Sequence, residues 1–394
     1  MDTLRTFQDK NRRRGVSCAL VIISLVVLMQ MAALTIDVGM MYRARNEAQA
    51  SADSAAMAAA WRLMDQDRLK GSSFVTSVMD ASRLSAADFA ARNRIINEPP
   101  LLDSNGGNAS EGDIVLGKLN KPDDAGESLS FANAAGFNAV QVFLHRDEQR
   151  NGPIDLFFAW VAGHRTADVS ASATAAFFDG VIGWRVTDQT GNAGLLPFAL
   201  RKSAWDSLLA GTLTTGDNNS FDPSTGAVTS GADGILELNL YPGSGAGQLP
   251  PGNFGTVDIG APGNSTADIE RQILNGVNES DLAYFGGELT LDDDGTLLLN
   301  GDTGLSAGVK DELTSIIGQP RAIPIFETVT GPGNNSIFVV VGFVGIRILD
   351  VKLTGSMSSK KVIIQPAYVV DDSVIVSEST GQSSFVYKPV QLVR

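Results

Sequence analysis

Between Val16 and Ile36 lie 21 consecutive residues without a charge, rich in Leu, Val, Ile, Met and Ala. As a helix they span roughly 30 Å, the thickness of a bilayer's hydrocarbon core. Buried core helices are usually shorter apolar runs. A cleaved signal peptide would have an apolar region of only about 7–15 residues, closed by an A-x-A-like site. Thr35-Ile36-Asp37-Val38-Gly39 offers no such site, so the run reads as an uncleaved transmembrane anchor. Lys10 and Arg12 to Arg14 stand just before it. Such basic flanks stay cytoplasmic, which would leave the body of the chain outside.

Charge agrees with this division. Residues 1–15 carry five Lys/Arg against Asp2 and Asp9, a balance of +3 within a total of -14. An acidic body disfavours nucleic-acid backbones and anionic lipid as main partners. The 394 residues suggest two globular parts beyond the anchor, and the 43 % apolar fraction is enough for packed cores. Cys18, the only cysteine, falls in the apolar run. No disulfide can form within the chain, and Cys18 reads as a small apolar residue.

The helix is expected to continue past the membrane surface to about Gln66. From Asp37 onward there is no Pro, only Gly39, and a predominance of good helix formers. Ala44, Ala48, Ala52, Ala55, Ala56 and Ala59 recur at spacings of three and four, one face of small side chains. Packing on the chain's own domain is preferred for this face over a partner helix. A second helix is expected over Ser85–Ile96, with Asp88 three residues after Ser85 as in a capping box. After Pro99-Pro100 come strand-like runs at Asp113–Leu119, Ala139–His145, Asp155–Val161 and Asp168–Phe178. The polar turn Asp147–Pro153 reads as a hairpin loop. From Val181 on, strands are expected at Leu195–Ala199, Ile235–Leu240, Glu288–Leu291, Thr296–Leu299, Ile323–Thr328, Ile337–Val351 and Lys361–Val369. Two short helices are expected at Ser203–Ala210 and Ser265–Asn275.

At this point the residues carry a resemblance. Arg12-Arg13-Arg14-Gly15, the apolar span and Asp37-Val38-Gly39-Met40-Met41-Tyr42-Arg43-Ala44-Arg45-Asn46 resemble the start of TadE/TadG-like Flp-pilus assembly proteins. Gln49-Ala50-Ser51-Ala52-Asp53-Ser54-Ala55-Ala56 is similar to that family's Gln-x-x-x-Asp-x-Ala-Ala signature. Gly152–Ala159, Gly163 and Val169–Ala175 resemble the strand pair closing its first domain. Leu196–Ala199, Trp205 and Gly252–Gly255 are similar to larger members. Processed pseudopilins have a Glu five residues after the cleavage glycine. Leu20 stands there, so prepilin-type processing is not expected. The resemblance implies a minor inner-membrane component of the tight-adherence secretion system, with motif positions Asp37, Gln49, Asp53, Ala55 and Ala56.

No constellation announces chemistry, and no catalytic residue, cofactor, metal ligand or small-molecule substrate is expected. Asp168-Val169-Ser170-Ala171-Ser172 matches the metal motif of von Willebrand A domains, which larger family members carry. It lies in an alternating strand, however, without the alternating strand–helix fold that brings such ligands together. Asp292-Asp293-Asp294-Gly295 holds only fragments of a calcium loop and reads as a hairpin turn. His145 and His164 have no ligand spacing and read as exposed strand-end residues. Gly331-Pro332-Gly333-Asn334-Asn335 opens no helix and reads as a turn. Asp37, at the outer end of the span, reads as solvated, with Tyr42 an interfacial aromatic.

The expected fold is α+β. Residues 1–15 form a cytoplasmic basic stub and 16–36 the transmembrane helix. Residues 37–180 form a pilin-like helix-plus-antiparallel-sheet domain, and 181–394 a β-rich extracytoplasmic domain. The expected function is that of a structural or assembly component of a Flp-type pilus in the cytoplasmic (inner) membrane. Its partners would be the bilayer, through Val16 to Ile36, and other pilus-assembly or envelope proteins. The alternative is a surface adhesin or ligand-binding envelope protein using the acidic second domain.

Overall fold

The computed structural model describes residues 3–241, 255–263, 265–302, 307–356, 359–377 and 383–394. Gly252 to Phe254 of the resemblance lie outside them. Helix α1 runs unbroken from Thr3 to Arg62, through stub, apolar run and alanine face. It has two environments. From Leu20 to Ile36 the large apolar side chains stand between 47 % and 65 % exposed, whereas Ala44, Ala48, Ala52, Ala55, Ala56 and Ala59 are fully buried.

What buries the alanines is the chain itself. Helix α2 (Ser72–Arg92) lies along α1, and small side chains let the two backbones approach. Ser51 Oγ donates to the Ala90 carbonyl at 3.1 Å, Ser82 Oγ to the Ala59 carbonyl at 2.8 Å, and Asn93 Nδ2 to Ser54 Oγ at 3.0 Å. Each such bond contributes about 1 kcal/mol net. The helix begins thirteen residues before the expected Ser85. Val75, Thr76 and Val78 are weak helix formers, but burial of Val75 and Val78 against the rest of the domain overrides propensity. The capping box does not form, and Asp88 pairs with Arg92 at 2.6 Å. The helix ends four residues early: Asn93 leaves the helical region at φ -99° and ψ 88°, and Ile96 and Asn97 then turn to positive φ.

The other side of the alanine face packs on an antiparallel sheet built from β1 (Ile114–Gly117), β2 (Ala139–Arg146) and β5 (Val169–Phe178). The β2–β5 pairing runs from Ala139 opposite Ala176 to Arg146 opposite Val169. Asp147–Pro153 therefore does not join two paired neighbours. The whole stretch between β2 and β5 is an excursion from the sheet end. Within it, β3 (Ile154–Asp155) pairs with β4 (Thr166–Ala167). The strand expected to reach Val161 stops at Asp155, and Ala159–Ala162 form a 3-10 turn.

The second half follows the expected β pattern closely. Strand β6 (Val181–Trp184) leads to β7 (Leu200–Arg201) and helix α3 (Lys202–Leu209). A small ribbon of β8 (Asn219–Phe221) and β9 (Val228–Ser230) precedes β10 (Leu238–Tyr241). Helix α4 (Thr266–Asn275) starts at a formed capping box of Ser265 and Asp268. Then come β11 (Leu289–Thr290), β12 (Leu297–Asn300), β13 (Pro320–Thr330), β14 (Ile337–Lys352) and β15 (Lys361–Pro366). The sheet order is β10-β15-β14-β13-β7, with β12 also on β14. Leu195 and Phe198 make only single bridges, so the strand expected at Leu195–Ala199 is short and irregular. Gly331–Asn335 is the turn of the β13–β14 hairpin.

The last strands return. Strand β16 (Val369–Val370) pairs in parallel with β18 (Val386–Leu392), which in turn adds to β5 of the first sheet, while β17 (Val374–Val376) pairs with β6. Strand β18 contains Pro389, which lacks the N–H a ladder needs. The register accordingly shifts between Lys388 and Gln391. An aromatic series bridges the two halves: Phe177–Tyr387 at 4.8 Å, Tyr387–Tyr368 at 5.5 Å, Tyr368–Phe385 at 5.7 Å and Phe385–Trp205 at 5.9 Å between centroids. Burial pushes the Tyr387 hydroxyl well above its ordinary pKa.

Candidate functional site along the outer half of the long helix

The signature positions fall along α1, Ala55 and Ala56 buried, Asp53 half-buried and Gln49 exposed beside the sheet. Gln49 Nε2 donates to Asp53 Oδ1 at 2.7 Å and to the Ser172 carbonyl of β5 at 3.0 Å. Its place on the sheet gives the reason. Strand β18 covers the edge of β5 only as far as Thr174, where Thr174 and Arg394 bond through their backbones. The next edge carbonyl, on Ser172, is taken by Gln49, and Asp53 holds the amide in place. Ala55 and Ala56 are fully buried against the rest of the domain. Two residues before Gln49, Glu47 accepts from the Ile96 N–H at 2.7 Å and from Arg43 Nε at 2.7 Å. Burial raises the pKa of Glu47, but these donors outweigh it and hold the group below its ordinary value.

Asp37 departs from expectation. It is 3 % exposed, not solvated. Its carboxylate accepts three backbone N–H groups from the excursion: Phe157 at 2.8 Å, Phe158 at 2.9 Å and Ala159 at 2.6 Å. The first N–H groups of a helical turn have no partner inside it. A carboxylate is the strongest acceptor for them, and here it comes from a residue 120 positions earlier. Gly163, at φ 88°, closes the turn's other end. Burial alone would raise the Asp37 pKa, and the three donated bonds overcome it and set the pKa below the ordinary value.

The clamp's contribution is therefore complete above the ordinary carboxylate pKa and is lost only as pH falls through the lowered folded value. Asp37→Asn removes the charge and one acceptor. Amide exchange at Phe158 and Ala159 should speed up on the order of tenfold at neutral pH, measured by hydrogen–deuterium exchange. Unchanged protection there would show that the loop holds its shape without Asp37.

The remaining motif positions are dispersed. Ser170 and Ser172 lie in β5 opposite His145 and Phe143, so Asp168–Ser172 is part of a strand. His145 is half-buried near the end of β2, and His164 is exposed in the excursion's turn, not at a strand end. Asp292 accepts from the N–H groups of Asp294 at 3.1 Å and Thr296 at 2.8 Å, which holds its carboxyl below the usual range. That turn joins strands of two different sheets, since β11 pairs with β6 and β12 with β14. It is a turn, but not a hairpin. Among the described residues no three His, Cys, Asp or Glu side chains gather as a metal would require.

These features define a class of protein: an α+β body built on the outer half of one long N-terminal helix. The inner half of that helix is long and apolar enough to cross a membrane, and its apolar stretch is not buried by the rest of the chain. Residues 15–62 match the model of the putative Flp pilus-assembly TadE/G-like family, and residues 41–175 that of the putative Tad-like Flp pilus-assembly family. Together the two matches run over residues 15–175, and there the chain is similar to Flp pilus-assembly proteins. The family is one of pilus-assembly components and not an enzyme class. No curated protein and no solved structure matches the chain.

Proposed function

We propose that this protein is a membrane-anchored structural component of a tight-adherence, Flp-type pilus or a related envelope apparatus, working by protein–protein contact and not by catalysis. Residues 16–36 cross the cytoplasmic membrane once, the basic stub stays inside, and the body lies outside. Residues 37–180 form the family's unit, and residues 181–394 offer further surface to other assembly proteins.

The observation that carries this reading is the division of α1. Twelve large apolar side chains between Leu20 and Ile36 stand exposed, a surface that water disfavours and lipid accepts. The same helix then becomes the spine of a folded head. Its signature residues spend their bonds within the head, so contacts with other proteins fall to the outer surfaces.

Deletion of the gene tests the reading. Pili and surface attachment should be lost, and should return with the full-length chain. Unchanged piliation and attachment would exclude the assembly role. Protease shaving of intact spheroplasts checks the orientation: the body should be digested and the stub retained.

A further inference from the structure

We propose that the excursion tip, residues 156–162, is a second contact with the bilayer, seated at the boundary of headgroups and acyl chains beside the point where α1 leaves the membrane. The inference rests on the reading of residues 16–36 as a membrane span. Phe157, Phe158, Trp160 and Val161 are 65 %, 42 %, 60 % and 67 % exposed. Single exposed apolar residues are ordinary on a protein surface; four within five positions, two of them Phe and one Trp, are not.

Position selects the occupant. Asp37 pins the tip to α1 one residue beyond the apolar run, and Leu156 and Ala159 line a shallow surface with Leu34, Val38 and Met41. Leu34, Ile36 and Val38 are themselves exposed, so the apolar surface of the span continues onto the tip. The sheet points the same way. Gln49 meets β5 at Ser172, and Asp37, twelve residues earlier on α1, meets the tip. At 1.5 Å per residue that is about 18 Å closer to the membrane.

The composition fits the interface. Trp and other aromatic rings favour the headgroup level, and exposed His164 and Arg165 flank the apolar residues. The backbone is prepared as well. Besides the three N–H groups bound by Asp37, Leu156 donates to the Arg165 carbonyl at 2.9 Å and Val161 to that of Phe158 at 3.1 Å. Gly163 donates to the carbonyl of Trp160 at 3.0 Å, and His164 to that of Ala159 at 3.1 Å. A turn that satisfies its own polar groups enters a poorly hydrated layer at little cost.

The test uses the full-length protein in vesicles of phosphatidylcholine with one-fifth phosphatidylglycerol. An environment-sensitive fluorophore is placed on Val161→Cys or on Ser224→Cys, each in a Cys18→Ala background, and on the native Cys18. Lipids carrying a nitroxide high on the acyl chain should quench the label at position 161 at least about threefold more than that at 224, with blue-shifted emission. Equal, weak quenching at 161 and 224, while Cys18 is quenched, would overturn this inference alone. A blue shift at 161 without lipid quenching would also overturn it, since protein and not lipid would then cover the tip. Absence of quenching at Cys18 would instead remove the membrane-span reading itself.

Discussion

Arginine at both Leu25 and Val26 should release the protein from the membrane fraction. Both side chains lie mid-run and are exposed, at 57 % and 47 %. At the centre of a spanning helix each arginine costs about 2.5–3.5 kcal/mol on insertion scales, so the pair opposes insertion by roughly 5–7 kcal/mol. In water the same change would be favourable, because it replaces exposed hydrocarbon with charge. The sign of the effect therefore reports the solvent around the helix. Leu84 on α2 provides the contrast. It is 68 % exposed but outside the span, and Leu84→Arg should leave the distribution unchanged. Carbonate extraction followed by detection in pellet and supernatant reads the outcome. If the double variant stayed in the pellet like the parent, the anchoring role of this run would be refuted.

The largest effect on folding is expected at Gly345. It sits in β14, the central strand of the six-stranded sheet, opposite Ala322 of β13. Its N–H donates to the Ser384 carbonyl at 3.0 Å, and its carbonyl accepts from the Ala367 N–H at 3.0 Å. A Cβ placed here would come within 2.3 Å of the Ala367 carbonyl oxygen and 2.4 Å of that of Phe385. Both obstacles are backbone and cannot rotate away. They belong to the segments that lead β16 and β18 back toward the first sheet, so relief would disturb the junction of the halves. Gly345→Val should cost about 4 kcal/mol or more, at the far end of single-substitution effects. Gly107→Ala meets nothing within 4 Å and should stay within about 0.5 kcal/mol of the parent. Denaturant titration followed by tryptophan fluorescence measures both. Trp184 stacks edge-on against Phe343 at 4.3 Å and reports the affected core directly. Parent-like stability of Gly345→Val would mean that the segments around Ala367 and Phe385 shift more easily than their hydrogen bonds imply.

These two sites differ in how far they could be foreseen. The apolar run is written in consecutive residues and needs no partner to be read. The alanine face is similarly legible, because spacings of three and four put Ala44, Ala48, Ala52 and Ala55 on one side of any helix. Strand β14 occupies Ile337–Lys352 against an expected Ile337–Val351, since a long apolar run rich in Val and Ile bounded by turns has few other solutions. Gly345 within that run carried no such mark. Its necessity comes from chain segments more than twenty residues away.

Asp37 and Gln49 make the same point from the functional side. Asp37 opens the motif that follows the apolar span and Gln49 the Gln-x-x-x-Asp-x-Ala-Ala signature, yet nothing local told what either side chain binds. Read alone, Asp37 was a carboxylate at a membrane surface, free to be solvated. The fold instead carries the excursion between β2 and β5 back to it and directs three N–H groups at its oxygens. That capture also explains why the strand expected to reach Val161 stops at Asp155: the clamped amides are no longer available to a ladder. Strand β18 escaped notice because Pro389 argues against a strand until a register shift accommodates it.

What the sequence determined by itself is thus everything with a short period or an unbroken run. That covers the apolar run and its basic flank, the continuous helix, the small-residue face, the β-rich second half and the signature residues. Tertiary structure alone decided which atoms those elements spend on one another. Asp37 closes a distant turn, Gln49 finishes a sheet edge, and the last strand joins the first domain. The physical reason is range. Helix and strand periodicity arise from bonds and burial within a few residues, while a carboxylate or carbonyl is indifferent to where in the chain its partner originates and answers only to what the fold brings within 3 Å.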